Sequence, residues 1–284
     1  MIHLKIGGVP EHFNLPWHQG LKQKNFEKIG VKLEWVEFKG GTGTMNTALR
    51  EHAIDIAVML TEGIVYDIIK GNPSKIIAQY ISTPLQWGIY TGINNPLQNV
   101  EDIFTKKFAI SREGSGSHLM PLIDAAKNHT TIDASQFVVI RNLEGALQSL
   151  SKLETDVFYW ERYTTKPFVD QKILKYIGKS PTPWPAFVIV ARNEVIEQYP
   201  DQLKAIVETV LTLAQSFKKT ASSIDLICKR HYLNEKDAQK WMNETNWSRD
   251  GNIDDHTIQQ VIQALISSSL IENKEYLPSI FLHK

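Results

Sequence analysis

The run Lys107-Phe108-Ala109-Ile110-Ser111-Arg112-Glu113-Gly114-Ser115-Gly116-Ser117-His118 changes periodicity partway through. Lys107 to Ile110 reads as a short strand, and Leu119 to Ala126 continues as an apolar helical run. A Gly/Ser connection between strand and helix presents backbone N–H groups and hydroxyls at the helix N-terminus. The helix dipole adds about half a positive charge there, and Arg112 can add a bidentate fork of donors. The stretch reads as a cradle for a small anionic or polar ligand. A tight turn closed by an N-cap serine gives the same pattern.

Strand and helix signals alternate on both sides of this turn. Upstream, Leu4-Lys5-Ile6 reads as a strand, Leu15 to Lys28 as mostly helix, and Val31 to Phe38 as an alternating strand. Gly40-Gly41-Thr42-Gly43-Thr44 follows as a loop, Met45 to His52 as a helix and Asp55 to Leu60 as a buried strand. Gly63 to Lys70 is a short helix, and Ser74 to Tyr80 leads into another strand. Downstream come the strand Phe137 to Ile140, the helix Leu143 to Leu153 and the strand Asp156 to Trp160. Ser180-Pro181-Thr182-Pro183-Trp184-Pro185 is stiff and extended, and reads as a crossing strand that runs on into Ala186 to Ala191. Helices fill the rest: Pro200 to Thr220, Ser222 to Tyr232, Glu235 to Asn243 and Asp254 to Ser268. The alternation predicts an α/β fold with helices on both faces of the sheet and a ligand beyond the carboxyl ends of the strands.

Composition narrows the function classes. The 284 residues suit one large or two modest domains, at about 150 residues each. Lysine plus arginine and aspartate plus glutamate number 31 each, which removes the electrostatic case for nucleic acid or an anionic membrane. Cys228 is the only cysteine, so neither a disulfide framework nor a Cys-based zinc site can form within the chain. No apolar run is long enough to insert in a membrane. The nine histidines show no metal-ligand spacing, and neither a metal nor another cofactor is expected.

The chain resembles the type II periplasmic-binding-protein group that binds nitrate, sulfonates and thiamine-pyrimidine precursors, including its thiamine-pyrimidine-synthase-like members. The resemblance rests on Gly40 to Met45 before a helix, Asp55-Ile56-Ala57-Val58, Arg112 to His118 before a second helix, and Glu144 to Leu150 followed by Glu154-Thr155-Asp156-Val157. It implies two lobes, each a mostly parallel sheet flanked by helices. Residues 1–86 and 186–284 would form lobe I and residues 87–185 lobe II, closing on a ligand between them. Transport members carry an export signal, and none is read before Ile2-His3-Leu4-Lys5-Ile6. A cytoplasmic member is therefore expected, or a periplasmic one whose leader was removed. The fungal synthases of this fold carry a cysteine-rich iron motif that one cysteine cannot supply.

Candidate ligand-binding residues follow from these turns. His12, Phe13 and Asn14 lie where the resemblance places a first ligand loop, although Asn14 also reads as an N-cap ahead of Pro16. Gly41, Thr42, Gly43, Thr44 and Met45 form the counterpart of Arg112, Ser115, Gly116, Ser117 and His118 on the other lobe. Glu62 either receives an amine or amidine or complements a helix dipole. Trp160 either stacks on a planar ligand or packs in the core, and Glu161 would accept from ring amines. Trp184 is expected at the hinge, and His12 and His118 are placed facing each other across the cleft by the resemblance alone. No catalytic set is expected, because Ser115 and His118 make no triad without an orienting acid and an oxyanion hole in the right geometry, and sequence shows neither. The expected function is binding of an aminopyrimidine-like heteroaromatic or a small sulfonate or carboxylate, without chemistry. The alternatives are an enzyme of thiamine-precursor metabolism and the substrate-binding component of an ABC uptake system. A transporter or regulatory partner is left open.

Overall fold

A computed structural model describes residues 1–283. One sheet runs through the molecule in the order β2-β1-β3-β8-β4-β7-β5-β6. The strands are β1 (Ile2–Gly8), β2 (Val31–Glu37), β3 (Ile56–Leu60), β4 (Ser74–Gly92), β5 (Phe108–Ile110), β6 (Phe137–Val139), β7 (Val157–Glu161) and β8 (Leu174–Arg192). At one end β1 pairs in parallel with β2 and β3, and at the other β5 pairs in parallel with β6 and β7. The inner parallel strands β3, β5 and β7 read as short apolar runs because both of their faces are covered, whereas β2 alternates apolar and polar residues. Met59 and Val58 of β3 and Phe158 of β7 are fully buried.

Helices α1 (Leu15–Lys22), α2 (Thr42–Arg50), α3 (Thr61–Ile69), α4 (Gly116–Lys127), α5 (Leu143–Ser151) and α6 (Arg162–Asp170) connect these strands. After β8 come α7 (Asn193–Gln198), α8 (Pro200–Lys219), α9 (Ser222–His231), α10 (Glu235–Glu244) and α11 (Asp255–Ser267). The chain is thus α/β, as its alternation predicts. Three boundaries differ from the expectation. The first helix stops at Lys22, because the chain turns through Lys24 at φ 55° and Phe26 buries under Trp17. The Gly40–Thr44 loop is shorter than expected, since α2 begins at Thr42, and α4 begins at Gly116 rather than Leu119.

The larger difference lies at the crossing. The strands expected at Ser74–Tyr80 and Ala186–Ala191 are parts of two 19-residue strands, β4 and β8, paired antiparallel along their length. The near end of β8 pairs with β3, and the far part of β4 pairs with β7, so these two strands join both halves of the sheet. Prolines disguise this continuity. Pro181, Pro183 and Pro185 lack N–H donors, and the pairing slips in register at Gln79/Ile81, Ile81/Pro84 and Pro84/Gln86.

Side chains replace the missing backbone bonds. Thr182 accepts from the Leu85 N–H at 3.0 Å and donates to the Trp184 carbonyl at 2.8 Å. Thr61 donates to the Pro185 carbonyl at 2.6 Å. Trp184, expected at the hinge, is buried in this crossing. Thr182→Val keeps the shape but strands the buried Leu85 N–H, a cost of about 1–3 kcal/mol. The urea unfolding midpoint of Thr182→Val should fall accordingly while Thr182→Ser stays near wild type; equal midpoints for all three would refute the role given to the hydroxyl.

Candidate functional site

The turns into α2 and α4 open onto one cavity at the junction of the two half-sheets. Gly41 and Thr42 line it from one side, and Ser111, Ser115, Gly116 and Ser117 from the other. Gly41 sits at φ 71°, where a side chain is strained. Its carbonyl accepts the Thr44 hydroxyl at 2.7 Å, and Thr42 accepts the Leu60 N–H at 3.1 Å. Met45 lies fully buried beneath. A Cβ on Gly43 would stand 2.3 Å from Arg112 Cδ, so Arg112 lies directly over the first turn. The Arg112 Nε is buried without a partner.

The second turn is bonded internally. Ser117 accepts from the Ser111 N–H at 2.9 Å, and its Oγ lies 3.0 Å from Ser115 Oγ. Ser115 donates to the Arg112 carbonyl at 2.7 Å. His118 Nδ1 accepts the Gly114 N–H at 3.0 Å while its ring meets Phe137 edge-on. Burial holds this imidazole below its usual pKa. His118 therefore fixes its own turn rather than lining the cavity.

The opposite wall is the end of β7. Trp160 stacks on Phe158, with ring centroids 5.1 Å apart, and its indole N–H is buried without a partner. Glu161 is buried, and its Oε2 accepts both the N–H and the hydroxyl of Thr164, at 2.7 and 2.8 Å, capping α6. Glu11 lines the same cavity beside it. Burial raises the Glu11 pKa, and the Glu161 charge raises it further. Burial also raises Glu161, while its bonds from Thr164 pull the other way. Uptake of a proton is thus favoured on Glu11.

The remaining candidates sit outside the cavity wall. His12 is fully buried behind Glu161, with Nε2 4.0 Å from Oε2 and its ring 4.3 Å from Trp241. Neither ring nitrogen has a hydrogen-bond partner, and burial, with His231 adding to it, keeps the ring neutral. No contact links it to His118, so the facing pair of histidines is not formed. Phe13 packs between Phe187 and Trp241. Asn14 caps nothing; its amide donates to the Val9 carbonyl at 2.9 Å. Glu62 is fully buried at the strand crossing, where its Oε2 accepts the Trp184 indole N–H at 2.9 Å.

Sequence reading did not single out Glu11 as a site residue, and passed over Ser111, Leu60, Leu85, Trp87 and Phe187 of this wall. Glu11 adjoins His12 and Ser111 adjoins Arg112, and adjacency to chosen residues was the only available signal. The apolar members come from β3, β4 and β8 and carry no chemical mark. The cavity measures about 30 Å³, room for two or three waters at about 10–15 Å³ each. No Lys, Arg or His lines it among the described residues. A wider polar hollow of about 770 Å³ around Asn95, Asp102, Lys106 and Asp156 gathers none of the candidate residues. Among the described residues no cluster of metal-ligating side chains occurs, and no helix is long and apolar enough to cross a membrane.

Two turns at helix N-termini meeting over the join of a sheet that two long strands hold together define a class, and the comparisons agree: the chain has the periplasmic-binding-protein fold. Its residues 87–180 match the family model described as Ca3427-like PBP. It is similar to the Candida albicans CA3427 gene product, described as defining a new family with the generic periplasmic-binding-protein fold. That structure is 25% identical, covers 97% of this chain and 92% of its own, and has a TM-score of 0.90. The alkanesulfonate-binding protein SsuA from Xanthomonas axonopodis pv. citri, bound to MOPS, shares the fold at 14% identity, 99% and 98% coverage and a TM-score of 0.81. The nitrate-binding protein NrtA from Synechocystis does so at 15% identity, 99% and 85% coverage and a TM-score of 0.74. Among curated proteins no sequence matches.

Burial raises the Glu62 carboxyl from an ordinary 4.5 to about 7, against the opposing Trp184 bond. A raised carboxyl pKa in the fold stabilises fully below the unfolded value. That contribution, on the order of 3 kcal/mol, is lost as pH rises from about 4.5 through about 7. Glu62→Gln should flatten this part of the profile of melting temperature against pH; an unchanged slope would show that Glu62 is not the group responsible.

Proposed function

We propose that this protein reversibly binds a small organic molecule whose head group is an amine or amidine edge, as in an aminopyrimidine-like heteroaromatic. Residues 1–86 with 186–284 would move as one lobe and 87–185 as the other, closing over the ligand. The observation that carries the reading is the pair of buried carboxyls, Glu11 and Glu161, in a cavity that no described cation lines. A donor-bearing head satisfies those carboxyls. An adjacent ring nitrogen can accept from the first N–H groups of α4, which have no acceptor within the helix. Trp160 offers a face to the ring.

The reading is binding without chemistry. The Ser115 and Ser117 hydroxyls bond to each other and to backbone, and no histidine approaches them as a base. The two helix N-termini and their hydroxyls favour a second reading, a small sulfonate or carboxylate. Transport and thiamine-precursor roles rest on the relatives and on the resemblance rather than on this cavity.

Thermal-shift titrations with 4-aminopyrimidine, acetamidine and methanesulfonate separate the two. A ligand at about 100 times its Kd adds about 2.7 kcal/mol, a shift of several degrees. The nitrogen compounds should stabilise the protein, and Glu161→Gln should weaken acetamidine at least tenfold. Acetamidine affinity should rise as pH increases through neutrality, because the raised carboxyls must lose protons to hold an amidinium. Stabilisation by methanesulfonate alone would favour the anion reading and exclude the amine reading.

A further inference from the structure

The small cavity opens beside a second chamber between the same two halves. Glu11 and Trp160 belong to both walls. The outer chamber has a volume of about 360 Å³, within the range of about 300–1,000 Å³ usual for small-molecule sites. Its wall is built differently. Leu143 and Leu147, one turn apart on α5, and Phe168 of α6 are half-buried and face the recess together with Trp160. The four side chains back onto the small apolar cluster around Tyr90, Phe158 and Leu174. Lys39, on the other half, borders the chamber.

The inner cavity thus has polar specificity without space, and the outer chamber has space with an apolar wall. A free aminopyrimidine would meet the carboxyls but leave the outer chamber unfilled. We infer that the ligand is amphipathic: a compact amino or amidine head at Glu161, and an alkyl or aryl body that passes Trp160 and lies against Leu143, Leu147 and Phe168. The head assignment rests on the function proposed above; the apolar body rests on the outer chamber alone. A body of this kind removes three half-wet apolar side chains from water, and each methylene it buries is worth about fourfold in affinity.

The test is calorimetric titration with acetamidine, hexanamidine and hexanoate. Hexanamidine should bind at least a hundredfold more tightly than acetamidine. Leu147→Trp and Leu143→Trp, each of which fills the chamber, should cut that ratio below tenfold. Equal affinities for the two amidines in the wild type would overturn the apolar subsite and leave the head assignment standing. If neither amidine binds but hexanoate does, and Leu147→Trp abolishes it, the subsite stands and the head assignment fails. If neither hexanamidine nor hexanoate responds to either tryptophan, the subsite is overturned whichever head binds.

Discussion

The structure depends on the antiparallel pairing of β4 and β8. These strands carry two parallel half-sheets that otherwise share no ladder, since β3 attaches only to β8 and β7 only to β4 on the crossing side. The pairing must pass through Pro84, Pro181, Pro183 and Pro185. Each proline after the first strand turn removes a donor, so a run of regular ladder is impossible there. Register slips and the Thr182 and Thr61 hydroxyls complete the bonding instead. A crossing that is continuous but irregular holds the halves in order and concentrates compliance at one place.

That constraint locates the cavity. Parallel strands leave their carboxyl ends on one side of each half-sheet, where helix N-termini begin. The crossing turns the two sets of ends toward each other, so the α2 and α4 turns meet, with Arg112 lying over Gly43. The third wall, Trp160 and Glu161, is also a strand end, and Glu11 comes from the turn after β1. Burial of carboxyls without cations is costly unless the acids are protonated or partnered. Glu161 has Thr164 for a partner, whereas Glu11 has only proximity to Glu161 working against its charge. That unpartnered acid is the physical ground for the donor-bearing ligand proposed for the cavity.

Much of the fold was legible in the sequence because local periodicity governs it. The Gly/Ser turn before α4, the alternation in β2 and the buried run in β3 identify themselves by pattern. The 19-residue strands did not, because prolines read as punctuation and the hydroxyls that compensate for them act across more than ninety residues of chain. Where glycine and hydroxyls cluster in the sequence, at Gly41, Thr42 and Ser115 to Ser117, the fold brings the candidate residues to the wall of one cavity. The side chains of His12, Phe13, Asn14, Met45, Glu62 and His118 go instead into the packing and hydrogen bonds of the fold. Polar residues near a ligand turn look the same in sequence whether they point to the cleft or to the core. Only tertiary placement decides, as the neighbours His12 and Glu11 show.

The central claim is that a donor-bearing head occupies the inner cavity between Glu11 and Glu161. A crystal structure of the protein grown with benzamidine tests it most directly. The account predicts the amidinium within hydrogen-bonding distance of the Glu161 carboxylate, with the phenyl ring beside Trp160. Benzamidine bound elsewhere, or an inner cavity in which the same crystals show a sulfate or another anion against the α4 N-terminus, would contradict it.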